Sequence, residues 1–277
     1  MKRRAFVLAS VALAAAPLLA AKPARVALVL GGGGCRGYGH LGVLRVLEEN
    51  GLKPDLVVGS SAGALVGSLF AAGLTVDAIE RLGARLSANT LRDWIFPGLG
   101  IFGGTGIARF IRAQIGERNI ESLPTRFAAV ATDLRNGEAV VLERGEVGAA
   151  VQASSSAPGL LEPVKLGGRL LVDGNLAAPV PVSASRRLGA QKVIAVDVSF
   201  PPEQASLEDP FDALYQGFSI LTRKLALEER ALADVMIEPM IPVHHDMSSQ
   251  TISEHISAGN RAADKALPQL RGLFEGR

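Results

Sequence analysis

The sequence predicts an α/β protein, a three-layer α/β/α sandwich around a mostly parallel sheet. Three observations carry that expectation. Apolar runs of strand length alternate with segments of helical period from Arg25 onward. The runs at 26–30 and 192–198 are hydrophobic at nearly every position, as strands covered on both faces are. Two glycine-rich turns, at 31–37 and 59–63, each join such a run to a helical segment. With 277 residues, 48% hydrophobic and 20% charged, the chain is long and apolar enough for one large core. No repeat or linker divides it, so residues 25–277 are expected to form one domain.

The elements follow in order. Residues 37–50 place Leu41, Leu44 and Leu47 on one helical face, and Gly51 stops the helix. Residues 56–58 predict a second strand, and 62–72 a small-residue helix closed by Gly73. Thr75 is positioned to cap a third helix running to about residue 86. Residues 88–124 differ in character. They are glycine-rich, contain Trp94, Phe96, Phe102 and Phe110, and show no clean strand. Trp94, Ile95, Phe96, Leu99 and Phe102 are either core or part of a mobile flap. After Pro124 the pattern resumes, with strands at 127–131 and 138–142 and a short helix at 148–154. A strand at 169–172 leads into Asp173-Gly174, followed by the strand at 192–198. Helices are expected at 210–233 and 250–272, with a short strand at 235–237 between them.

The N-terminus has the form of a targeting segment. Lys2, Arg3 and Arg4 precede an apolar stretch at 5–21, with small residues Ala20 and Ala21 offering a cleavage site. Residues 1–21 are therefore expected to be a signal peptide that sends the protein to the periplasm or cell envelope; an uncleaved anchor is the rival reading. Their removal takes three positive charges and no acid from the formal net of +2, leaving −1. That balance offers no basic surface for nucleic acid. The single cysteine, Cys35, cannot close an intrachain disulfide.

Three loops could build one site. The first, Gly31-Gly32-Gly33-Gly34-Cys35-Arg36-Gly37, lies between strand and helix, where glycines let successive N–H groups face one concavity. It also fits G-x-G-x-x-G. A dinucleotide fold would require an acid at the end of the second strand. Asp55 precedes that strand instead, and its end carries the second loop, Gly59-Ser60-Ser61-Ala62-Gly63. This is a G-x-S-x-G elbow in its strand–turn–helix setting, with Ser61 central. A serine hydroxyl needs a base to take its proton. The residues leave two choices open: Asp173, at a strand end before Gly174, or His244 or His245 in the C-terminal segment. His40, on the first helix, is expected to be structural. No metal-ligand spacing appears.

Together these segments resemble the patatin-like phospholipases, which carry a G-G-G-x-[KR]-G loop, a G-x-S-x-G elbow and a D-G-[AG] turn in this order. The corresponding residues are Gly32 to Gly37, Gly59 to Gly63, and Asp173-Gly174-Asn175. Stretches at 40–44, 131–134, 153–159 and 233–235 are similar too, and the resemblance runs from residue 26 to about 270. Asn175 departs from the family's Ala or Gly, and its side chain is expected to narrow the pocket or hydrogen-bond Asp173. The resemblance implies a Ser–Asp dyad in which Asp173 is the base for Ser61. It makes the loop Gly32, Gly33, Gly34, Cys35, Arg36 and Gly37 the oxyanion hole, with the amides around Gly33, Gly34 and Cys35 facing the developing charge and Arg36 fixing the loop. It implies no cofactor and an acyl-enzyme formed from a fatty-acyl ester such as a phospholipid or lysophospholipid, with transient contact to a membrane surface. An acyltransferase using the same pair, or a non-catalytic lipid-binding protein, are the alternatives.

Overall fold

The structure is a computed structural model and describes residues 25–84, 98–202, 207, 208, 210–242 and 248–275. At the centre of the sheet β1 (Val26–Leu30) pairs in parallel with β2 (Leu56–Ser60) on one side and β9 (Lys192–Val196) on the other. β2 continues in parallel to β4 (Arg126–Asp133), and β9 to β10 (Val235–Ile237). Beyond β4 the sheet turns antiparallel. β5 (Ala139–Leu142) and β8 (Arg169–Asp173) both pair with β4, and β7 (Val164–Leu166) closes that edge against β8. Gly167 and Gly168 join β7 to β8 with φ of 58° and 77°, the backbone that a two-residue hairpin turn demands, and so make that pair antiparallel. Register then levels the functional loops. Leu30 lies opposite Gly59, Ser60 opposite Val130, and Ala131 opposite Asp173.

All five residues of β1 are inaccessible to solvent, each valine and leucine side chain contributing about 1.5–3 kcal/mol by its burial. Val26, Leu28 and Leu30 pack under α1 (Tyr38–Glu49), α2 (Ala62–Ala71) and α8 (Ser249–Phe274). Ala27 and Val29 meet α6 (Val182–Arg187) and α7 (Pro210–Arg230) on the other face. Helices thus cover both faces of a mostly parallel sheet, the expected architecture. α1 and α8 touch backbone to backbone: a Cβ on Gly42 would stand 2.0 Å from the Ile256 carbonyl oxygen, and one on Gly259 2.0 Å from that of Gly39.

Thr75 caps α3 (Val76–Gly83), its Oγ1 accepting the Ala78 N–H at 3.3 Å. Glu146 caps α5 (Val147–Ser154) by accepting from Gly148 and Ala149. The segment 88–124 departs from the expectation of no clean strand. It contains β3 (Gly100–Phe102) and α4 (Thr105–Ile115), which buries Ile107, Ile111 and Ile115 at a spacing of four. β3 pairs in parallel with β6 (Gly159–Leu161) in a separate two-stranded ribbon. Phe102 is buried and Phe110 packs on the core, so neither belongs to a flap; Trp94 and Phe96 lie outside the described residues. So do residues 1–24, His244 and His245.

Candidate active site

Each loop is shaped by a place where chain meets chain. β2 ends at Ser60 and α2 begins at Ala62, which forces Ser61 into φ 52°, ψ −120°, the one positive φ among the described non-glycine residues. Such a conformation costs on the order of 1–3 kcal/mol and recurs where a side chain must be held out of a tight bend. A Cβ on Gly63 would stand 2.0 Å from the Leu30 carbonyl oxygen, so the elbow closes against the end of β1 only with glycine there. A Cβ on Gly37 would meet that of Ala62 at 2.8 Å, which brings the glycine loop against the head of α2. On the third side, a Cβ on Gly32 would fall 1.9 Å from Asn175 Oδ1. The three segments therefore form one site at the carboxyl ends of the parallel strands.

Within it, Ser61 Oγ donates a hydrogen bond of 2.8 Å to Asp173 Oδ2, across 112 residues of sequence. The other carboxylate oxygen, Oδ1, accepts the Asn175 N–H at 2.9 Å. The Asp173 backbone is pinned as well, its N–H to Ser156 O at 2.9 Å and its carbonyl by Thr132 Oγ1 at 2.8 Å. Burial pushes the Asp173 carboxyl up to about 6, against the opposing pull of the Asn175 N–H and the Ser61 hydroxyl. Ser154 supports the elbow: its Oγ accepts the Ser61 N–H at 2.9 Å and donates to Val130 O at 2.6 Å. Ser60 points away, its hydroxyl buried without a partner near the Gly174 backbone.

The glycine loop sorts its own amides. The Gly31 and Gly32 N–H groups are committed to Val196 O and Pro179 O, and that of Arg36 to Gly33 O. Gly33, Gly34 and Cys35 are left with no acceptor among the described residues, and the space over Gly34 is open. The Gly32 and Arg36 amides are thus held within the fold. The Arg36 side chain is buried, its Nε donating to Val198 O at 2.9 Å, its Nη1 to Ile241 O at 3.0 Å, and its guanidinium lying over Phe200. Burial lowers its proton affinity despite nearby Cys35 and Asp197. His40 is fully buried 2.7 Å from the Gly31 carbonyl, and burial pulls it down to about 4, so its neutral ring donates to that oxygen. It holds the base of the loop.

The Asn175 side chain makes no hydrogen bond to Asp173, against that expectation. The residue reaches Asp173 through its backbone N–H, while its carboxamide lies flat over Gly32 with Oδ1 buried and unpaired. Tyr215, on α7, was not singled out by the sequence. Burial, and after it the nearby Asp173 carboxylate, push its phenol up. It is nevertheless 58% exposed. Among the described residues no group of three or more His, Cys, Asp or Glu side chains could hold a metal ion.

Fold and site define an α/β protein with a buried serine–aspartate pair at a strand–helix elbow, beside a glycine loop. A profile of the family described as Patatin-like phospholipase matches residues 28–185, more than half of the chain, and the chain belongs to that family. An uncharacterized NTE family protein of Mycobacterium tuberculosis is 39% identical over 178 residues, covering 63% of this chain and 49% of the relative. Lysophospholipase NTE1 of Debaryomyces hansenii is 35% identical over 202 residues, covering 71% of this chain and 13% of the relative. The chain thus spans about half the length of the mycobacterial protein and a small part of the yeast one. Among solved structures, VipD from Legionella pneumophila aligns with a TM-score of 0.58 at 17% identity, over 91% of this chain and 68% of VipD. The type III effector protein ExoU gives 0.54 at 15% identity, over 90% and 53%. Both share the fold.

Proposed function

We propose that this chain is a serine acyl hydrolase that cleaves fatty-acyl esters of phospholipids or lysophospholipids, with Ser61 as nucleophile and Asp173 as its base. The observation that carries the reading is the 2.8 Å hydrogen bond from Ser61 Oγ to a carboxylate buried to a pKa of about 6. A carboxyl of that kind is a stronger base than an exposed aspartate, yet it is ionised roughly ten to one at pH 7. As Oγ attacks the ester carbon, Asp173 takes the hydroxyl proton. The carbonyl oxygen gains its charge facing the Gly33, Gly34 and Cys35 amides, at the positive end of α2. Each such donor is worth about 3 kcal/mol of barrier. Protonated Asp173 then gives its proton to the departing alcohol, leaving Ser61 acylated. A water deprotonated by Asp173 attacks the acyl carbon, and collapse returns the serine. The family match and the name of the Debaryomyces relative support a lipid ester as substrate.

The test is turnover of a panel of p-nitrophenyl acyl esters and lysophospholipids by wild type, Ser61→Ala and Asp173→Ala. Loss of at least a thousandfold in both variants, with circular dichroism unchanged, is expected; full activity of Asp173→Ala would end the assignment. We further propose that residues 1–21 direct export to the periplasm. N-terminal sequencing of protein recovered from that compartment should begin near residue 22, and an intact N-terminus retained in the cytoplasm would refute it.

A further inference from the structure

The glycine loop is laid along the end of β9. The Gly31 N–H donates to Val196 O at 2.9 Å. Two residues on, a Cβ on Gly33 would stand 2.6 Å from the Val198 carbonyl oxygen and 2.9 Å from its Cγ2, so the Gly33 backbone rests directly on Val198. Arg36 Nε closes the loop onto that same carbonyl, and its Nη1 takes Ile241 O beyond β10. The seat of the loop is therefore set by two short segments, one following β9 and one following β10.

Asp197 stands between the two valines that carry the loop. Strand alternation sends Val196 and Val198 into the core under α1 and α8 and turns the Asp197 side chain to the other face, toward α7. There its carboxylate is buried. Oδ1 accepts the Ser199 N–H at 2.9 Å, and Oδ2 accepts from Arg223 Nη1 of α7 at 2.9 Å. The Asp197 N–H donates to Ile237 O at 2.9 Å, which joins the two segments. Nη2 of Arg223 lies 3.6 Å from Glu238, the residue after β10, and Arg230 holds the other oxygen of Glu238 at 2.6 Å. One guanidinium thus spans both segments, with one nitrogen on the neighbour of Val198 and the other on Glu238, just upstream of Ile241. α7 itself is seated separately, Glu229 Oε2 accepting the Ser183 N–H at 2.6 Å.

We propose that Arg223 is a positioning residue for ester cleavage: by gripping Asp197 and Glu238 at once it fixes the Val198 and Ile241 carbonyls, and through them Arg36 and the glycine loop. The inference rests on the acyl-hydrolase reading, which places the developing oxyanion at the Gly33, Gly34 and Cys35 amides. Asp197 gives the arrangement its force. A buried carboxylate stripped of its cation is strongly disfavoured, and the Arg36 guanidinium is close enough to feel the same charge. Without Arg223 that carboxylate pulls on Arg36, loosening its bonds to Val198 O and Ile241 O and unseating the loop they hold. Oxyanion donors stabilise a transition state because they need no reorganisation at the moment of reaction, so a loosened loop loses that advantage. The loss falls on the transition state and spares ground-state binding of the ester: kcat drops and KM stays. A bond that merely held the fold together would lower Tm and leave the rate per folded molecule alone.

The test compares Arg223→Met and Arg223→Lys with wild type, as full chains, on a soluble p-nitrophenyl ester. Arg186→Met is the control, since it breaks another Arg–Asp pair, the 2.8 Å contact with Asp234 just before β10. At a temperature where circular dichroism shows every protein folded, Arg223→Met should lower kcat about tenfold or more with KM within about twofold of wild type. Arg223→Lys keeps a cation beside Asp197 but has no fork to reach Glu238, and should fall between the two. Arg186→Met should lower Tm without lowering kcat. Independently of activity, amide hydrogen exchange in a peptide spanning 31–37 should quicken about tenfold in Arg223→Met, with a peptide spanning 126–133 unchanged. A kcat for Arg223→Met close to that of wild type overturns the proposal, and so does unchanged exchange at 31–37. A lysine variant as slow as the methionine one overturns it too, as does an equal fall of kcat in Arg186→Met, which would make the effect one of general stability. If wild type cleaves no ester while the exchange contrast appears, the hydrolase reading alone fails and the grip of Arg223 on the loop stands.

Discussion

Asp173→Asn should make the protein more stable while destroying its chemistry, and the gain should depend on pH in a defined way. The carboxyl is fully buried and sits at about 6 in the fold, against 3.8 for an ordinary aspartate. Below pH 4 it is protonated whether the chain is folded or unfolded, and its burial carries no charge penalty. Between pH 4 and 6 the unfolded chain releases this proton and the folded chain keeps it, so stability falls as pH rises. Above pH 6 the whole cost is present. Roughly two decades in proton affinity, at 1.36 kcal/mol each, make that cost about 3 kcal/mol. Asparagine is uncharged throughout. It can still accept the Asn175 N–H through its carbonyl oxygen and offer its amide nitrogen to Ser61 Oγ. Urea unfolding of both proteins at pH 4, 5, 6 and 8 should therefore show the variant nearly equal at pH 4 and about 3 kcal/mol more stable at pH 8. His40, held near 4 by its burial, works in the opposite sense, since acid charges it in the unfolded chain first and destabilises the fold as pH drops from 6.5 toward 4. It is present in both proteins and cancels in the difference. A difference that stays constant across this range would refute the assignment of a buried, charge-penalised carboxylate.

Three further outcomes follow from the same geometry. The kcat/KM for a soluble ester should climb with pH to a plateau with its midpoint near 6, dropping about tenfold per unit below it, because only ionised Asp173 accepts the serine proton; a midpoint near 4 would contradict the buried base. Ser61→Gly should be more stable than Ser61→Ala by about 1 kcal/mol in thermal unfolding, since glycine adopts φ 52° without strain; equal stabilities would mean the elbow stores none. Gly32→Ala should cut activity at least tenfold by driving its methyl into the Asn175 carboxamide 1.9 Å away, and Asn175→Gly added to it should restore most of the loss; a double variant as poor as the single one would show that the damage lies elsewhere.

What could be read from the sequence, and what could not, divides along physical lines. The elbow was readable because its geometry leaves little choice of residue: Gly63 must meet the Leu30 carbonyl, and only glycine does. The buried strands β1 and β9 announced themselves by unbroken apolar runs. The three-residue strands β3, β6 and β7 are too short to show a period, and β7 is set by the Gly167-Gly168 turn rather than by its own residues. α6, six residues long and opened by Pro181, is hidden for the same reason. α4 was within reach, since Ile107, Ile111 and Ile115 repeat at four, but the glycines and aromatic rings around it obscured that period. The partner of Ser61 could not be read from spacing at all. It lies 112 residues away, and only the antiparallel register of β8 on β4 brings it level with the elbow. The hydroxyl of Ser154 and the amide allegiances of the glycine loop belong to that same tertiary level.

The central claim is that Ser61 is made nucleophilic by Asp173, and covalent trapping addresses it most directly. A fluorophosphonate probe, followed by proteolysis and mass spectrometry, should label wild type on Ser61, label it at a rate that halves near pH 6, and leave Asp173→Asn unlabelled over the same period. Labelling of Asp173→Asn at the wild-type rate, or an adduct on any other serine, would contradict it.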